Sequence, residues 1–281
     1  MELSKRQKIW ANLVRLFVLF ILLIVMLRWF EHSQVYHPSR QLEPVDASSR
    51  RLFQDVTFRA SDGVELNGWF FPAATNSPRA QWAFLICHGN GGNISHRLEL
   101  CTTLLSETGA NVFIFDYRGY GRSRGKPGEE GTYRDAQAAF EWLRQKGIQH
   151  IILFGESLGG GVASEVALRE PVAGLILQST FTSIPDIGKE LYPWLPVRWI
   201  STIRYDTHSK LPRIKVPVLL MHSRTDNLIH FHHAEENFAA ANEPKQFCEL
   251  HGGHNEAVWQ LPEFQSAIEK FLATVQGTAK E

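Results

Sequence analysis

The chain has 281 residues, of which 44% are hydrophobic and 21% are charged, a balance that suits one compact domain with residues left over for a terminal extension. Its 29 basic residues equal its 29 acidic residues, so no net charge favours nucleic acid, and we expect no nucleic-acid partner. Three cysteines without a C-x-x-C pairing indicate neither a disulfide framework nor a zinc site.

The N-terminal segment is unlike the rest of the chain. Leu16 to Leu27 is an unbroken apolar run, and the wider segment Ile9 to Phe30 contains only Asn12, Arg15 and Arg28 as strongly polar residues. With its arginines snorkelling, this segment reaches the roughly 17–25 residues of a spanning helix. It is apolar all round, which argues against a buried helix of a soluble domain.

The charges beside this segment predict its orientation. Lys5, Arg6 and Lys8 precede the apolar run, so the positive-inside rule predicts a cytoplasmic N-terminus and a folded domain on the opposite, periplasmic or lumenal, side. A cleaved signal peptide is the alternative, since the unbroken run is short enough for one. Because the stretch after it, 28–32, offers no small-x-small cleavage site, we favour an uncleaved anchor over residues 1–31.

The following segments predict the folded domain. Residues 32–52 are polar, with Pro38 and Pro44, and are interpreted as a linker that crosses the domain surface; the domain itself covers 53–276. Phe53–Ala60 and Val64–Pro72 alternate in polarity around Ser61-Asp62-Gly63, which predicts a hairpin. Strand-like runs are predicted at Trp82–Cys87, Val112–Phe115, Ile151–Phe154, Leu175–Leu177, Val218–Met221 and Phe247–Leu250. Helices are predicted near Ser95–Thr108, Tyr133–Lys146, Leu158–Arg169, His233–Ala241 and Pro262–Val275.

This alternation predicts a mostly parallel eight-stranded sheet covered by helices on both faces. In such sheets the ligand site lies beyond the carboxyl ends of the strands. Polar and glycine-rich stretches follow several of the predicted strands, and they begin at His88, Ser157, Thr225 and Gly252. We therefore expect the chemistry to gather at this edge.

The pentapeptide Gly155-Glu156-Ser157-Leu158-Gly159 lies between a predicted strand and a predicted helix. That is the context in which G-x-S-x-G forms a nucleophile elbow, with the serine on a strained turn. A serine hydroxyl needs a base within hydrogen-bond reach, and the base needs a partner that holds its tautomer. We assign His254 as the base and Asp226 as its partner, in the chain order Ser, Asp, His. The lesser candidates are His251 for the base and Asp206 and Asp186 for the acid.

Two backbone N–H groups are needed to stabilise the oxyanion of an acyl-transfer intermediate. We assign one to Leu158, which follows the nucleophile, and the other to Asn90, with Gly91 as the close alternative. The glycines of this turn lack the lysine of a P-loop and the G-x-G-x-x-G spacing, so no nucleotide or other cofactor is expected. His230, His232 and His233 have no carboxylate or cysteine at ligand spacing in the sequence, and no metal is expected.

Four motifs together resemble the serine α/β-hydrolase superfamily, and more narrowly the membrane-associated α/β-hydrolase-domain proteins related to the yeast bud-emergence hydrolase. The motifs are His88-Gly89-Asn90, the run 116–123, Gly155–Gly160 and Gly253-His254-Asn255. The resemblance runs from about Phe53 to Phe271. It implies an α/β-hydrolase fold and hydrolysis of acyl esters or thioesters, since that branch includes depalmitoylating thioesterases and lysophospholipid lipases.

The segment 180–213 is where larger relatives carry a lid, and it is short here, with several aromatic residues and prolines. It is either a helical connection whose aromatic side chains pack on the sheet edge or a small apolar cap that forms an acyl pocket near a bilayer. The sequence thus predicts a membrane-anchored serine hydrolase of small-molecule or lipid acyl substrates. A prolyl-aminopeptidase-like peptidase, with Glu156 or Glu190 binding a free amine, and a non-catalytic scaffold are the alternatives.

Overall fold

An eight-stranded sheet forms the centre of the molecule in the computed structural model, which describes residues 4–278. In chain order its strands are β1 Gln54–Arg59, β2 Glu65–Phe71, β3 Trp82–Cys87, β4 Asn111–Phe115, β5 His150–Glu156, β6 Gly174–Gln178, β7 Val218–Ser223 and β8 Lys245–Leu250. Their order across the sheet is β8-β7-β6-β5-β3-β4-β2-β1. Only β2 runs antiparallel to its two neighbours, and all other pairs are parallel. The predicted mostly parallel sheet and its first hairpin are confirmed.

The helices are α1 Lys5–Val35, α2 Leu98–Thr108, α3 Glu129–Gln145, α4 Leu158–Arg169, α5 Ile184–Leu191, α6 Val197–Ile200, α7 Thr207–Lys210, α8 His232–Ala240 and α9 Pro262–Thr278. Helices α3 and α4 pack on one face of the sheet, and α2 and α9 pack on the other. Successive side chains of β3 enter opposite cores, Leu85 towards α3 and α4 and Phe84 towards α2 and α9. Because the strand is buried on both faces, it is apolar at every position, as parallel strands between helical layers are.

Helix α1 carries the predicted membrane segment. It is long and apolar enough to cross a bilayer, and none of its most apolar stretch is buried against the domain. A core helix of a soluble domain would bury that stretch. Its start is capped by Ser4, whose side chain accepts a hydrogen bond from the Gln7 amide.

The region predicted as a linker is more ordered than a surface crossing. Helix α1 continues past residue 31 to Val35, because no glycine or proline interrupts it, and it ends before Pro38, which disfavours helical backbone at the residue before it. His37–Pro38 then pairs as a short parallel strand with Gly91–Gly92, in the turn that follows β3. The end of α1 is thereby attached to the edge of the sheet where polar residues gather.

The cap, residues 180–213, contains α5, α6 and α7 between β6 and β7. Its aromatic side chains have two different environments. Tyr205 is fully buried and packs edge-on against Tyr36 and Tyr133. Trp194 and Trp199 are 77% and 91% exposed. Part of the cap is therefore core, and part presents large apolar rings to the outside.

Candidate active site

Ser157 lies on a sharp turn between β5 and α4. Its φ of 51° is in the left-handed region, which is costly for a residue with a side chain. The backbone is held in this conformation by its neighbours: the Ser157 amide donates to the Gln178 carbonyl at 2.9 Å, and the Thr180 hydroxyl donates to the Ser157 carbonyl at 2.7 Å. The predicted strand, turn and helix around the serine are all present.

The glycines of the pentapeptide allow this turn to pack against β3. A Cβ atom on Gly159 would lie 1.8 Å from the Cys87 carbonyl oxygen, and one on Gly155 would lie 2.6 Å from the Cα of Gly160. Both distances are far below van der Waals contact. The motif therefore has glycine at these positions because two backbones meet there, which is a steric requirement as well as a turn requirement.

The structure brings Ser157, His254 and Asp226 together from three separate loops. His254 Nε2 lies 3.1 Å from Ser157 Oγ, and His254 Nδ1 lies 2.8 Å from Asp226 Oδ2. Because a carboxylate can only accept, Nδ1 carries the proton and Nε2 is left to accept from the serine hydroxyl. The lesser candidates lie elsewhere: Asp206 caps α7, Asp186 lies in the first turn of α5 and accepts from the Ser183 hydroxyl, and His251 faces Glu263.

Asp226 is buried and remains an anion. Burial by itself raises the pKa of its carboxyl, but hydrogen bonds from His254 and from two backbone amides outweigh burial and hold the pKa below its ordinary value. The amides are those of Leu228 and Ile229, which donate to Oδ1 at 2.9 and 2.8 Å. One oxygen is thus fixed by the backbone and the other faces the histidine, so the carboxylate can orient His254 and stabilise its protonated form.

The turn after β3 presents a free amide beside the serine. Within residues 4–278 the Asn90 N–H has no acceptor, while its carbonyl accepts from the His37 amide at 3.1 Å and from the Tyr120 hydroxyl at 2.8 Å. The Leu158 amide opens α4, where the first N–H groups have no intrahelical acceptor. Both predicted oxyanion donors are therefore available, and Gly91 stays the alternative, since it lines the same cavity as Ser157.

Replacing Tyr120 with phenylalanine tests whether this turn is held for catalysis. The Tyr120→Phe variant loses one of the two donors on the Asn90 carbonyl, and we expect it to lose about 1 kcal/mol of unfolding free energy. We also expect kcat to fall while KM stays nearly unchanged. The fall should be smaller than the roughly 10²-fold loss of kcat that follows removal of an oxyanion donor itself. Steady-state kinetics and urea unfolding measure the two effects. Tyr133→Phe is the control, because its hydroxyl donates to Glu129 instead and it lines neither cavity at Ser157; an equal fall in kcat there would contradict the role of Tyr120.

Sequence reasoning missed a partly buried ion pair beside the nucleophile. The Arg97 guanidinium contacts both oxygens of Glu156, at 3.1 and 2.9 Å, and donates to the Gly91 carbonyl at 2.9 Å. Burial raises the pKa of Glu156, but the charge of Arg97 outweighs it and the pKa is lowered. Arg97 thereby joins the elbow to the glycine turn. The only sign of this ion pair in the sequence is that one residue of the pentapeptide, Glu156, is charged.

His88 lies beneath the same turn, fully buried. Burial lowers the pKa of its imidazole to about 3, so the ring is neutral at physiological pH. Its Nδ1 lies 2.7 Å from the Gly89 carbonyl and donates to it. The histidine that opens the His88-Gly89-Asn90 motif therefore supports the shape of the turn and does not face Ser157.

Two cavities of different polarity meet at Ser157. One, of about 380 Å³, is largely polar. Its walls include the turn Gly89–Gly92 together with Arg97, Glu156 and His254. The other, of about 130 Å³, is mainly apolar and lies under the cap. It is lined by side chains that include Phe181, Ile184, Ile187, Leu191, Leu228 and Ile229. An ester bond at Ser157 can therefore place a polar half and an apolar half on different sides.

No metal was expected at His230, His232 and His233 because the sequence shows no carboxylate at ligand spacing. The folded structure does bring a carboxylate to them. Glu190 of α5 lies 2.8 Å from His230, 3.0 Å from His232 and 3.1 Å from His233. The ligand atoms of Glu190, His232 and His233 are close enough to hold a cation. Glu190 is about forty residues away in sequence, so spacing alone does not reveal it. The group lies between α5 of the cap and the start of α8, and none of its members lines either cavity at Ser157.

The sequence of this chain is similar to those of known proteins. A family model described as the alpha/beta hydrolase fold matches residues 83–204. The chain is 37% identical over 238 residues to the uncharacterized protein Rv2307c of Mycobacterium tuberculosis, covering 83% of this chain and 84% of that protein. It is 31% identical over 265 residues to the alpha/beta hydrolase domain-containing protein WAV2 of Arabidopsis thaliana, with 84% of each covered. It is also 32% identical over 200 residues to the protein bem46 of Schizosaccharomyces pombe, covering 68% of this chain and 66% of that protein.

Solved structures share the fold at lower identity. The esterase Pf2001 of Pyrococcus furiosus superposes with a TM-score of 0.70 at 22% identity, over 85% of this chain and 97% of that one. The esterase domain of a Rhodothermus marinus protein gives a TM-score of 0.61 at 20% identity, over 80% and 98%. The resemblance expected from the four motifs is confirmed by these similarities.

Proposed function

We propose that this chain, which belongs to the α/β-hydrolase family, is a membrane-anchored serine hydrolase that cleaves acyl esters or thioesters. The observation that carries the proposal is the hydrogen-bonded series Ser157, His254 and Asp226 at the strained elbow, with its spacings of 3.1 and 2.8 Å. The esterases that share the fold agree with this chemistry.

The reaction follows from the positions of these groups. Ser157 Oγ attacks the acyl carbonyl carbon while its proton passes to His254 Nε2, and the carbonyl electrons move to the oxygen, which faces the amides of Leu158 and Asn90. When the tetrahedral intermediate collapses, the bond to the leaving group breaks, and the proton on His254 passes to the departing alkoxide or thiolate. Water then attacks the acyl-enzyme by the same path, giving a carboxylic acid and free Ser157.

The charges around the site favour esters and thioesters over aminopeptidase substrates. An aminopeptidase needs a carboxylate that binds the free amine of its substrate. Glu156 is already paired with Arg97, and Glu190 is engaged by the three histidines. A non-catalytic scaffold has no need for the strained serine or for the free amides beside it, so we do not favour it.

The anchor determines where this chemistry takes place. Helix α1 can cross a bilayer, and the basic residues before it favour a cytoplasmic N-terminus with the hydrolase domain on the opposite side. Protease added to sealed vesicles of known orientation tests this: cleavage of the domain from the non-cytoplasmic side is expected, and its protection there would reverse the orientation.

A fluorophosphonate probe tests the serine chemistry directly, since it phosphonylates a serine whose hydroxyl is activated by a base. We expect full-length protein in detergent to be labelled on the peptide that contains Ser157, as read by mass spectrometry. The Ser157→Ala variant should not be labelled, whereas Ser164→Ala, on the same helix and hydrogen-bonded only to its own turn, should label like wild type. Folded protein that hydrolyses no ester and takes no label would refute the proposal.

A further inference from the structure

A second apolar cavity lies beside the apolar cavity at Ser157. It lies between the cap and α1, and five residues line both: Gln34, Val35, Ile184, Gly188 and Tyr192. The outer cavity continues along α1 to Leu27, Leu195 and Ile200. The two cavities are therefore adjacent, and we call them together the channel, with Ser157 at its inner end. Helix α1 supplies part of its wall throughout.

Helix α1 is held against the cap by specific contacts at this place. Glu31 Oε1 accepts hydrogen bonds from the Ser201 hydroxyl at 2.6 Å and from the Thr202 amide at 2.7 Å. The Arg28 guanidinium donates to the Thr202 hydroxyl at 2.7 Å and to the Ile200 carbonyl. These partners are about 170 residues apart in sequence, so the helix is docked on the cap at the outer end of the channel rather than tethered loosely.

The same end of α1 also reaches the turn Gly89–Gly92 that follows β3. The Asn90 side-chain amide donates to the Val35 carbonyl at 3.0 Å, and the His37 amide donates to the Asn90 carbonyl. Val35 is 7% exposed and packs with the core. The last turn of α1 therefore forms part of the channel wall and also contacts Asn90, whose backbone amide is proposed to face the reacting carbonyl.

Exposed tryptophans mark the level of the bilayer surface. Trp29 on α1 is 70% exposed, and Trp194 and Trp199 on the cap are 77% and 91% exposed. Tryptophan is enriched where the hydrocarbon meets the headgroups. All three lie near the point where α1 leaves its apolar run and where Leu27, Leu195 and Ile200 line the outer cavity. The outer end of the channel is therefore placed at the membrane surface.

We infer that the channel binds one acyl chain of a substrate that resides in the bilayer, and that the chain enters sideways between α1 and the cap. The inference rests on the proposed function and adds its substrate class: a long-chain acyl ester or thioester whose polar half occupies the polar cavity on the other side of Ser157. Helix α1 is then part of the substrate-binding site. It anchors the enzyme and also forms a wall against which the chain packs.

Blocking the channel tests this assignment. Hydrolysis of p-nitrophenyl butyrate and palmitate is measured with full-length protein in detergent micelles. In Ile187→Trp, at the inner cavity, we expect the palmitate-to-butyrate ratio of kcat/KM to fall by about tenfold or more, since each buried methylene contributes to discrimination. Leu195→Trp, at the outer cavity, should lower the ratio less. Val25→Trp is the control, because Val25 is 58% exposed on α1 and lies outside the channel.

The outcomes separate the two proposals. Equal ratios in all variants, with butyrate hydrolysed, would overturn the channel and leave the serine chemistry intact. Absence of butyrate hydrolysis and of fluorophosphonate labelling in wild type would instead overturn the proposed function. Binding is also read without hydrolysis: in Ser157→Ala, a palmitoyl ester with a diazirine on its chain should crosslink to the peptide containing Leu27 or Val35. Crosslinks only to peptides that line neither apolar cavity would contradict the channel.

Entry from the bilayer is tested at the tryptophans. A Trp194→Ser, Trp199→Ser double variant should lose activity severalfold on a palmitoyl ester carried in phosphatidylcholine vesicles, relative to the same ester in micelles. Leu52→Ser is the control, because Leu52 is an exposed apolar residue away from α1. An unchanged ratio between vesicle and micelle activity in the double variant would show that the chain enters from water.

Discussion

The Asp226→Asn variant is expected to lose about 10⁴-fold of kcat at nearly unchanged KM. The asparagine oxygen can keep the hydrogen bonds from the amides of Leu228 and Ile229, which turns its NH₂ group towards His254. His254 Nδ1 must then accept, so the proton moves to Nε2. An Nε2 that carries a proton cannot take one from Ser157. Ester hydrolysis followed over a range of substrate concentrations measures both constants.

Two other aspartates provide matched controls. Asp206 caps α7 and Asp186 lies in the first turn of α5, and both were the lesser candidates for the acid. Asp206→Asn and Asp186→Asn should keep most of the wild-type kcat. Because the pKa of Asp226 is held below its ordinary value, its carboxyl is ionised throughout the neutral range. The fall in kcat of Asp226→Asn should therefore be seen across that whole pH range. A wild-type kcat in Asp226→Asn would exclude this residue as the partner of His254.

Gly159→Ala is expected to prevent folding or to lower the free energy of unfolding by about 3 kcal/mol or more. The added Cβ would lie 1.8 Å from the Cys87 carbonyl oxygen and 2.5 Å from the Cys87 carbonyl carbon. Both are backbone atoms in the middle of the sheet, so no side chain can rotate away. At about 2–4 °C per kcal/mol for a domain of this size, the melting temperature should fall by about 6 °C or more.

Gly277→Ala is the control, because it shows the effect that the higher helix propensity of alanine has by itself. Gly277 lies in the last turns of α9, and a Cβ there would meet nothing within 4 Å. Gly277→Ala should be neutral or slightly stabilising, since alanine favours the helix and restricts the unfolded chain. If Gly159→Ala unfolded at the wild-type temperature, the close approach of α4 to β3 would be wrong.

Much of the fold follows from local patterns in this chain. The runs Trp82–Cys87 and Val218–Met221 are apolar at every position, which indicates strands buried on both faces, and each is a strand of the sheet. Helix bounds were less predictable. Helix α3 begins at Glu129 rather than near Tyr133, because its first turn is acidic and polar and carries no apolar periodicity.

Local patterns in the chain are enough to predict the eight-stranded fold, the apolar α1 and the order in which Ser157, Asp226 and His254 follow their strands, because periodicity and motifs are local properties. Other contacts are visible only in the folded structure: Arg97 pairs with Glu156, Glu190 meets three histidines, and α1 docks on the cap and on the turn Gly89–Gly92. These contacts join residues about 40 to 170 positions apart. Such pairs depend on surfaces and hydrogen bonds that form only when the chain has folded. Residue spacing in the sequence therefore does not predict them.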